Sequence, residues 1–162
     1  MNNPFKKKGT SLSGKLKGAL TDLSVDIFGY EKMVTKNILS HTEYISRKLK
    51  IPKERIFVRI FQKNHIIRAF LYDQSKPLHA IPVQELTYFF IDKGTAALTD
   101  VQNKVAFSIK QYLSEFAQAN HIEEESVCIW IHTKQENVVV RSFRDEEFIK
   151  QIPLNSLIKY FK

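Results

Sequence analysis

Residues 55–72 read RIFVRIFQKNHIIRAFLY, and residues 126–143 read SVCIWIHTKQENVVVRSF. In each stretch, two runs rich in β-branched and aromatic residues flank a short polar segment, which is the pattern of a β-hairpin. The two stretches lie 71 residues apart, and the apolar pattern around them recurs at the same offset. The predicted hairpin strands are Arg55–Gln62, Ile66–Tyr72, Ser126–Thr133 and Val138–Phe143.

Each hairpin lies in the middle of a longer predicted unit. Apolar residues at helical spacing predict an amphipathic helix over Tyr30–Lys50 and a counterpart in the second copy, with Thr99 or Asp100 as its N-cap. A third strand and a closing helix follow each hairpin, with predicted ranges Leu78–Ile81, Val83–Phe90, Phe148–Ile152 and Leu154–Phe161. We therefore predict an α+β fold in which an α-β-β-β-α unit with an antiparallel meander sheet is duplicated, preceded by a basic N-terminal segment.

The predicted organisation has three segments. Residues 1–23 form a basic tail and a short amphipathic helix, residues 24–95 form the first repeat, and residues 96–162 form the second. Three interpretations of the short helix, Ser11–Leu23, stay open: it docks on the body, binds a partner, or lies on a membrane surface. The sequence has no run of about 18 apolar residues and no secretory signal pattern. We therefore expect a cytoplasmic protein without a membrane span.

Positive charge is concentrated in the front of the chain, which has a formal net charge of +8. The candidate basic patch comprises Lys6, Lys7, Lys8, Arg47, Lys48, Lys50, Lys53 and Arg55. Such a patch either is solvated or binds the phosphates of a nucleic acid. The second copy carries Glu123–Glu125 at the equivalent place, which a duplicated phosphate-binding site would not be expected to do. Opposite charges favour head-to-tail assembly instead.

The predicted hairpins have two different faces, because side chains alternate across a strand. One face is aliphatic, with Val58 and Ile129 among its residues, and is the predicted core. The other face is rich in aromatic residues and arginine: Phe57, Arg59, Phe61, Arg68, Phe70, Tyr72, Trp130, His132, Arg141 and Phe143. A solvated face would carry small polar and charged residues, so we expect this face to be covered. Stacking of the two copies, the N-terminal helix, or another molecule would provide the cover.

We predict no catalytic residues, no metal site and no cofactor. Cys128 and His132 are four residues apart on one strand, about 13 Å between their Cα atoms, which is too far for a nucleophile–base pair. The histidines show no metal-ligand spacing, and the glycines form no phosphate-binding loop. The single cysteine fits a reducing compartment.

The favoured interpretation is a non-catalytic binding or assembly protein, an adaptor or structural protein, acting through protein–protein contacts. Its partner is another protein or further copies of the chain, held by the aromatic and arginine face or by the charged ends. The alternative is a nucleic-acid-binding protein that uses the basic N-terminal half together with the same face, since aromatic side chains stack on unpaired bases. A third hypothesis is a small-molecule site in a cleft between the two copies.

Overall fold

The computed structural model describes residues 19–159 and residue 161, with side chains from Tyr30 onward. Contacts divide the chain into two units, residues 1–34 and residues 35–162. In the first unit, the described residues form the beginning of helix α1, Ala19–Leu49. Most of the predicted helix Ser11–Leu23 and the candidate residues Lys6, Lys7 and Lys8 lie outside the described residues.

Helix α1 begins earlier than the predicted Tyr30. Residues 19–29 contain no proline, and their one glycine, Gly29, costs a helix only about 1 kcal/mol relative to alanine. The end of the helix matches the prediction. Lys50 follows with a φ of 60°, and the backbone N–H of Ile51 donates to the carbonyl oxygen of Ser46 at 3.1 Å. A residue in the left-handed region at this place is a common helix termination.

One antiparallel sheet of six strands forms the centre of the second unit. The strands are β1, Ile56–Lys63; β2, Ile66–Asp73; β3, Lys76–Ala80; β4, Val127–Lys134; β5, Asn137–Arg144; and β6, Glu147–Ile152. Their order in the sheet is β3-β2-β1-β4-β5-β6, so two three-stranded meanders meet where β1 pairs with β4. The prediction of an α+β fold with an antiparallel meander sheet is confirmed.

The halves of the sheet match at the predicted offset. Strands β4 and β5 begin and end 71 residues after β1 and β2. Short 3₁₀ turns precede β1 and β4 at the same offset, Lys53–Arg55 and Glu124–Ser126. In the pairing of β1 with β4, Arg59 lies opposite Trp130. These two residues are themselves 71 positions apart, so each occupies the same position in its own half.

The loops between β1 and β2 and between β4 and β5 are two-residue turns without glycine. Asn64 and His65 have φ values of 52° and 65°, and Gln135 and Glu136 have 51° and 65°. Two successive positive φ angles are those of a type I′ turn, whose twist suits the flanking strands. Each non-glycine residue in this region is strained by about 1–2 kcal/mol. The pairing of the strands therefore holds these turns in place.

The helices cover one face of the sheet. Helix α4, Thr99–Ala119, packs against β1, β2 and β4, whereas α2, Val83–Phe90, packs against β2 and α5, Leu154–Ile158, packs against β5. A short helix α3, Lys93–Ala96, was not predicted. The predicted N-cap of α4 is wrong, because the carbonyl oxygen of Leu98 already accepts from the N–H of Gln102 at 3.1 Å.

The hydrophobic core lies between these helices and the sheet. In β1, buried residues alternate with half-buried ones, and Ile56, Val58 and Ile60 are buried. Ile129, Ile131 and Val140 continue this inner face in the other half. Burial of one such aliphatic side chain stabilises a fold by about 1.5–3 kcal/mol. The alternation therefore fixes which face of every central strand turns away from the helices.

Candidate functional site

The ten candidate residues of the aromatic and arginine face all lie on the side of the sheet opposite to the core. They occupy the four central strands β2, β1, β4 and β5, and most are half-buried, whereas Arg68 is exposed and His132 is buried. We call this side the open face. The two halves lie side by side in one sheet, so the expectation that their faces stack on each other is wrong for this unit.

Arg59 lies flat at the centre of the open face. Its guanidinium carbon is 4.5 Å from the centroid of the Phe61 ring, a distance at which a cation–π contact is favourable. Its Nη2 atom donates a hydrogen bond to Sγ of Cys128, at 3.1 Å. The first contact lies along β1, and the second crosses from β1 to β4. Together they hold the guanidinium against its neighbours on the open face.

Trp130 contacts three other aromatic rings on the open face. The centroid of its ring is 4.7 Å from that of Tyr72 and 6.2 Å from that of Phe57, both in edge-to-face geometry. Phe57 in turn stacks on His132 at 4.3 Å, and Phe143 lies 6.5 Å from Trp130. Such pairs contribute about 0.5–1.5 kcal/mol beyond the area they bury. The rings therefore form a connected surface.

The His132 imidazole and the Cys128 thiol on the open face both favour their neutral forms. Burial lowers the pKa of the His132 imidazole, and the positive charge of Arg141 lowers it further. Burial raises the pKa of the Cys128 thiol and outweighs the opposite effect of the neighbouring Arg59. A neutral thiol that is only 2% exposed is a poor nucleophile.

Positive charge dominates the open face. Among the outward positions of β1, β2, β4 and β5, the cationic residues are Arg59, Lys63, Arg68, Lys134 and Arg141. None of the outward positions in these four strands carries a carboxylate. Lys63 and Lys134 stand at strand ends next to the turns and were not among the sequence-predicted residues. Continued alternation along each strand would have placed them there.

Phe148 is a further residue of the open face that the sequence did not indicate. It is 53% exposed, and its ring centroid lies 5.5 Å from that of Phe143, its partner across β5 and β6. The register of these strands shifts between Ser142 and Phe143, which marks a bulge or irregularity. A bulge breaks the alternation of side chains, so counting along β6 could not assign this residue to a face.

The described part of the candidate basic patch is largely paired within the chain. Arg55 donates two hydrogen bonds to the carboxylate of Asp73, at 2.8 and 2.9 Å. Lys53 forms an ion pair with Glu136, and Arg47 pairs with Glu43 at 3.1 Å. Lys48 lies 5.9 Å from the centroid of the Tyr44 ring, and Lys50 is exposed at the helix end. This cluster therefore offers fewer uncompensated charges than its sequence indicates.

The acidic run of the second half also has partners within the chain. The Gln62 side chain donates to Glu124 at 2.8 Å, and the backbone N–H of Asn64 donates to Glu125 at 2.7 Å. Each 3₁₀ turn thus contacts the opposite half: Glu124 and Glu125 reach the end of β1 and its turn, and Lys53 reaches the β4–β5 turn. These hydrogen bonds and the Lys53–Glu136 ion pair join the two halves within one chain, so they supply no argument for head-to-tail assembly.

A second group of polar residues surrounds His41 on α1. Two adjoining hollows of about 350 and 290 Å³ share the lining residues His41, Tyr44, Tyr88 and Lys93. His41 is 5% exposed, and its two ring nitrogens have no hydrogen-bond partner; the nearest carboxylate oxygen, on Glu85, is 3.8 Å away. Burial lowers the pKa of this imidazole. Both hollows lie within the first half, not in a cleft between the halves.

Within residues 19–159, no three or more His, Cys, Asp or Glu side chains come together as a metal site would require. None of the helices described over this range is long and apolar enough to cross a membrane. No protein-family model matches the chain, and neither does a curated protein or a solved structure.

Proposed function

We propose that the chain is a non-catalytic binding protein and that the open face is the surface that holds its partner. The observation that carries this proposal is the composition of that face: a connected cluster of half-buried rings around Trp130, five cationic residues, and no carboxylate in the four central strands. Aromatic residues and arginine are enriched at the centres of binding surfaces.

The partner of such a surface carries negative charge. Complementary potentials speed the encounter of partners and reject wrong ones, whereas like charges placed together cost free energy. The four central strands offer cations to an anionic partner, and none of their outward positions carries a carboxylate that would repel it. We propose the cytoplasm as the location of the protein, because a free and neutral Cys128 suits a reducing compartment.

We also propose that the body arose by duplication of one α-β-β-β-α unit. The identical offset of β1 and β2 from β4 and β5 supports this proposal, as does the matching position of the two 3₁₀ turns. In this organisation, residues 24–95 and 96–162 are the repeats and residues 1–23 precede them. The open face then contains two related ring clusters that meet at the Arg59–Trp130 pair.

A second candidate function is that of an adaptor or assembly protein that binds an acidic protein surface. The position of Trp130 favours it, because tryptophan, tyrosine and arginine near the centre of a patch are the residue types that dominate the energy of protein–protein interfaces. Trp130 has Arg59 beside it on β1 and Arg141 beside it on β5.

The two functions share one test. The full chain is titrated with a panel of anionic partners, namely single-stranded oligonucleotide, duplex and polyglutamate, at about 50 mM salt. At least one should bind, and Arg141→Gln should weaken binding, whereas Lys104→Gln on the outer side of α4 should not. If both variants bind every member of the panel as tightly as the unmodified chain does, the open face is not the binding surface.

A further inference from the structure

We propose that the partner of the open face is a single-stranded nucleic acid whose unpaired bases stack on its rings. The inference rests on the proposed function, since it assumes that this face is the binding surface. It adds the chemical class of the partner.

The rings offer stacking surfaces. Phe57, Phe70, Tyr72 and Phe143 are half-buried on the open face, and Phe148 is 53% exposed at its margin. A ring fixed on a sheet by its neighbours presents a flat apolar surface at little cost in conformational entropy. Every base has such a surface, and stacking a base on an aromatic side chain is favourable for all four. A polyacidic peptide would satisfy the cations but would leave these rings without a matching surface.

Cations and rings alternate across the sheet. One row of paired residues runs Phe70, Arg59, Trp130, Arg141 across β2, β1, β4 and β5. Neighbouring strands are about 4.8 Å apart, so Arg59 and Arg141 stand roughly 10 Å apart on either side of Trp130. A base on Trp130 would therefore have an arginine on each side. Arg141 would contact one flanking phosphate with its guanidinium, whereas Arg59, whose guanidinium is engaged with Cys128 and Phe61, would contribute its charge alone.

Two other occupants fit the face less well. In a duplex, the bases are paired and stacked on each other, so their faces are not open to the rings of the sheet. In a face-to-face pair of copies, the five cations of one open face would meet the five of the other, with no carboxylate in the central strands between them. Like charges opposed in this way disfavour association.

The first measurement is the affinity of the full chain for a fluorescently labelled single strand, its duplex, and polyglutamate of similar length, across a salt series. We expect the single strand to bind most tightly. Its log affinity should fall with log salt with a slope of roughly −2 to −3.5, which corresponds to about three to five neutralised phosphates at 0.7 each.

The second measurement uses matched variants. Trp130→Leu should weaken single-strand binding by roughly 5- to 150-fold, the loss typical of one stacked base. Phe107→Leu, at a 66% exposed position on α4, should leave it unchanged. Arg68→Gln with Arg141→Gln should reduce the salt slope by about 1.4, whereas Lys36→Gln with Lys104→Gln should not alter it. Circular dichroism checks each fold, and Tyr72→Leu replaces Trp130→Leu if that variant unfolds.

The outcomes separate the two proposals. If polyglutamate binds as tightly as the single strand and loses affinity in the same variants, the nucleic-acid inference is overturned and the proposed binding function stands with a protein partner. If the single strand binds but the open-face variants match their controls, the site lies elsewhere and both proposals fail. Absence of binding to every member at about 50 mM salt also overturns both.

Discussion

Arg59 lies directly opposite Trp130 where β1 pairs with β4, and the two residues occupy equivalent positions in the two halves. In the pairing of β1 with β4, this is the one position at which equivalent residues of the two halves lie opposite each other. A cation stands there on one side and the largest aromatic side chain on the other. This pair contributes one cation and one aromatic ring to the centre of the open face.

The contribution of Trp130 to stability should be modest for its size. It is half-buried and contacts other rings only along the open face, so we expect Trp130→Ala to lower the free energy of unfolding by about 1–2 kcal/mol. The adjacent Ile129 is fully buried on the inner face, and Ile129→Ala should cost about 2–5 kcal/mol. Urea unfolding of both variants measures this difference. An equal or larger loss for Trp130→Ala would mean that the open face belongs to a covered core.

Cys128 should resist alkylation in the folded protein. Its thiol is buried, its pKa is raised by that burial, and its Sγ accepts a hydrogen bond from Arg59. We expect iodoacetamide near neutral pH to modify it at least tenfold more slowly in the native chain than in urea, because the thiolate is the reactive form. Mass spectrometry of the time course gives both rates. Equal rates would contradict the burial of this residue.

His65→Gly should stabilise the β1–β2 hairpin. His65 has a φ of 65° as the second residue of a type I′ turn, and the change creates the Asn-Gly pair that such turns favour. Relief of strain of about 1–2 kcal/mol exceeds the entropic cost of glycine, so we expect a net gain of about 0.5–1 kcal/mol. His65→Ala keeps the strained backbone and serves as the control. Thermal or urea unfolding measures both, and a gain shared by the alanine variant would point away from the turn.

Stability should fall as the pH drops through 6.5 and below. Burial lowers the pKa of His41 and His132 in the folded chain from the ordinary value of 6.5. The unfolded chain then binds more protons than the native one, so the free energy of unfolding rises with pH across this interval. His132→Gln should flatten that dependence, and His65→Gln, at an exposed turn, should preserve it. Urea midpoints from about pH 5 to 8 measure the slope, and an unchanged slope in His132→Gln would contradict the assignment.

The alternation of the hairpin sequences was enough to predict the strands of each hairpin and the residues on its two faces. A strand has a side-chain period of two, and Ile56, Val58 and Ile60 on one side with Phe57, Arg59 and Phe61 on the other leave little ambiguity. Helix α1 was predicted too short, because Gly29 is a weak helix breaker whose effect the surrounding residues override. Phe148 was missed because the alternation is interrupted near Phe143.

The joining of the halves could not be predicted from the sequence. A run such as Glu123–Glu125 looks like a solvated or assembling surface until the strand order places it beside the end of β1. Its contacts with Gln62 and Asn64 depend on which strands are neighbours, and local patterns do not specify that choice. The contacts of the candidate basic patch could not be predicted for the same reason, since Lys53 pairs with Glu136 across 83 positions of sequence.

The pairing of β1 with β4 also makes the two halves unequal as separate molecules. A fragment with only β1–β3 could rebuild a six-stranded sheet by self-pairing, but it would then set Arg59 against a second Arg59, and like charges directly opposite are destabilising. A fragment with only β4–β6 would set Trp130 against Trp130, an allowed aromatic pair. The first half is thus the poorer homodimer and gains more from covalent fusion to its counterpart. Splitting the chain after Leu98 should therefore favour reconstitution of the mixed pair.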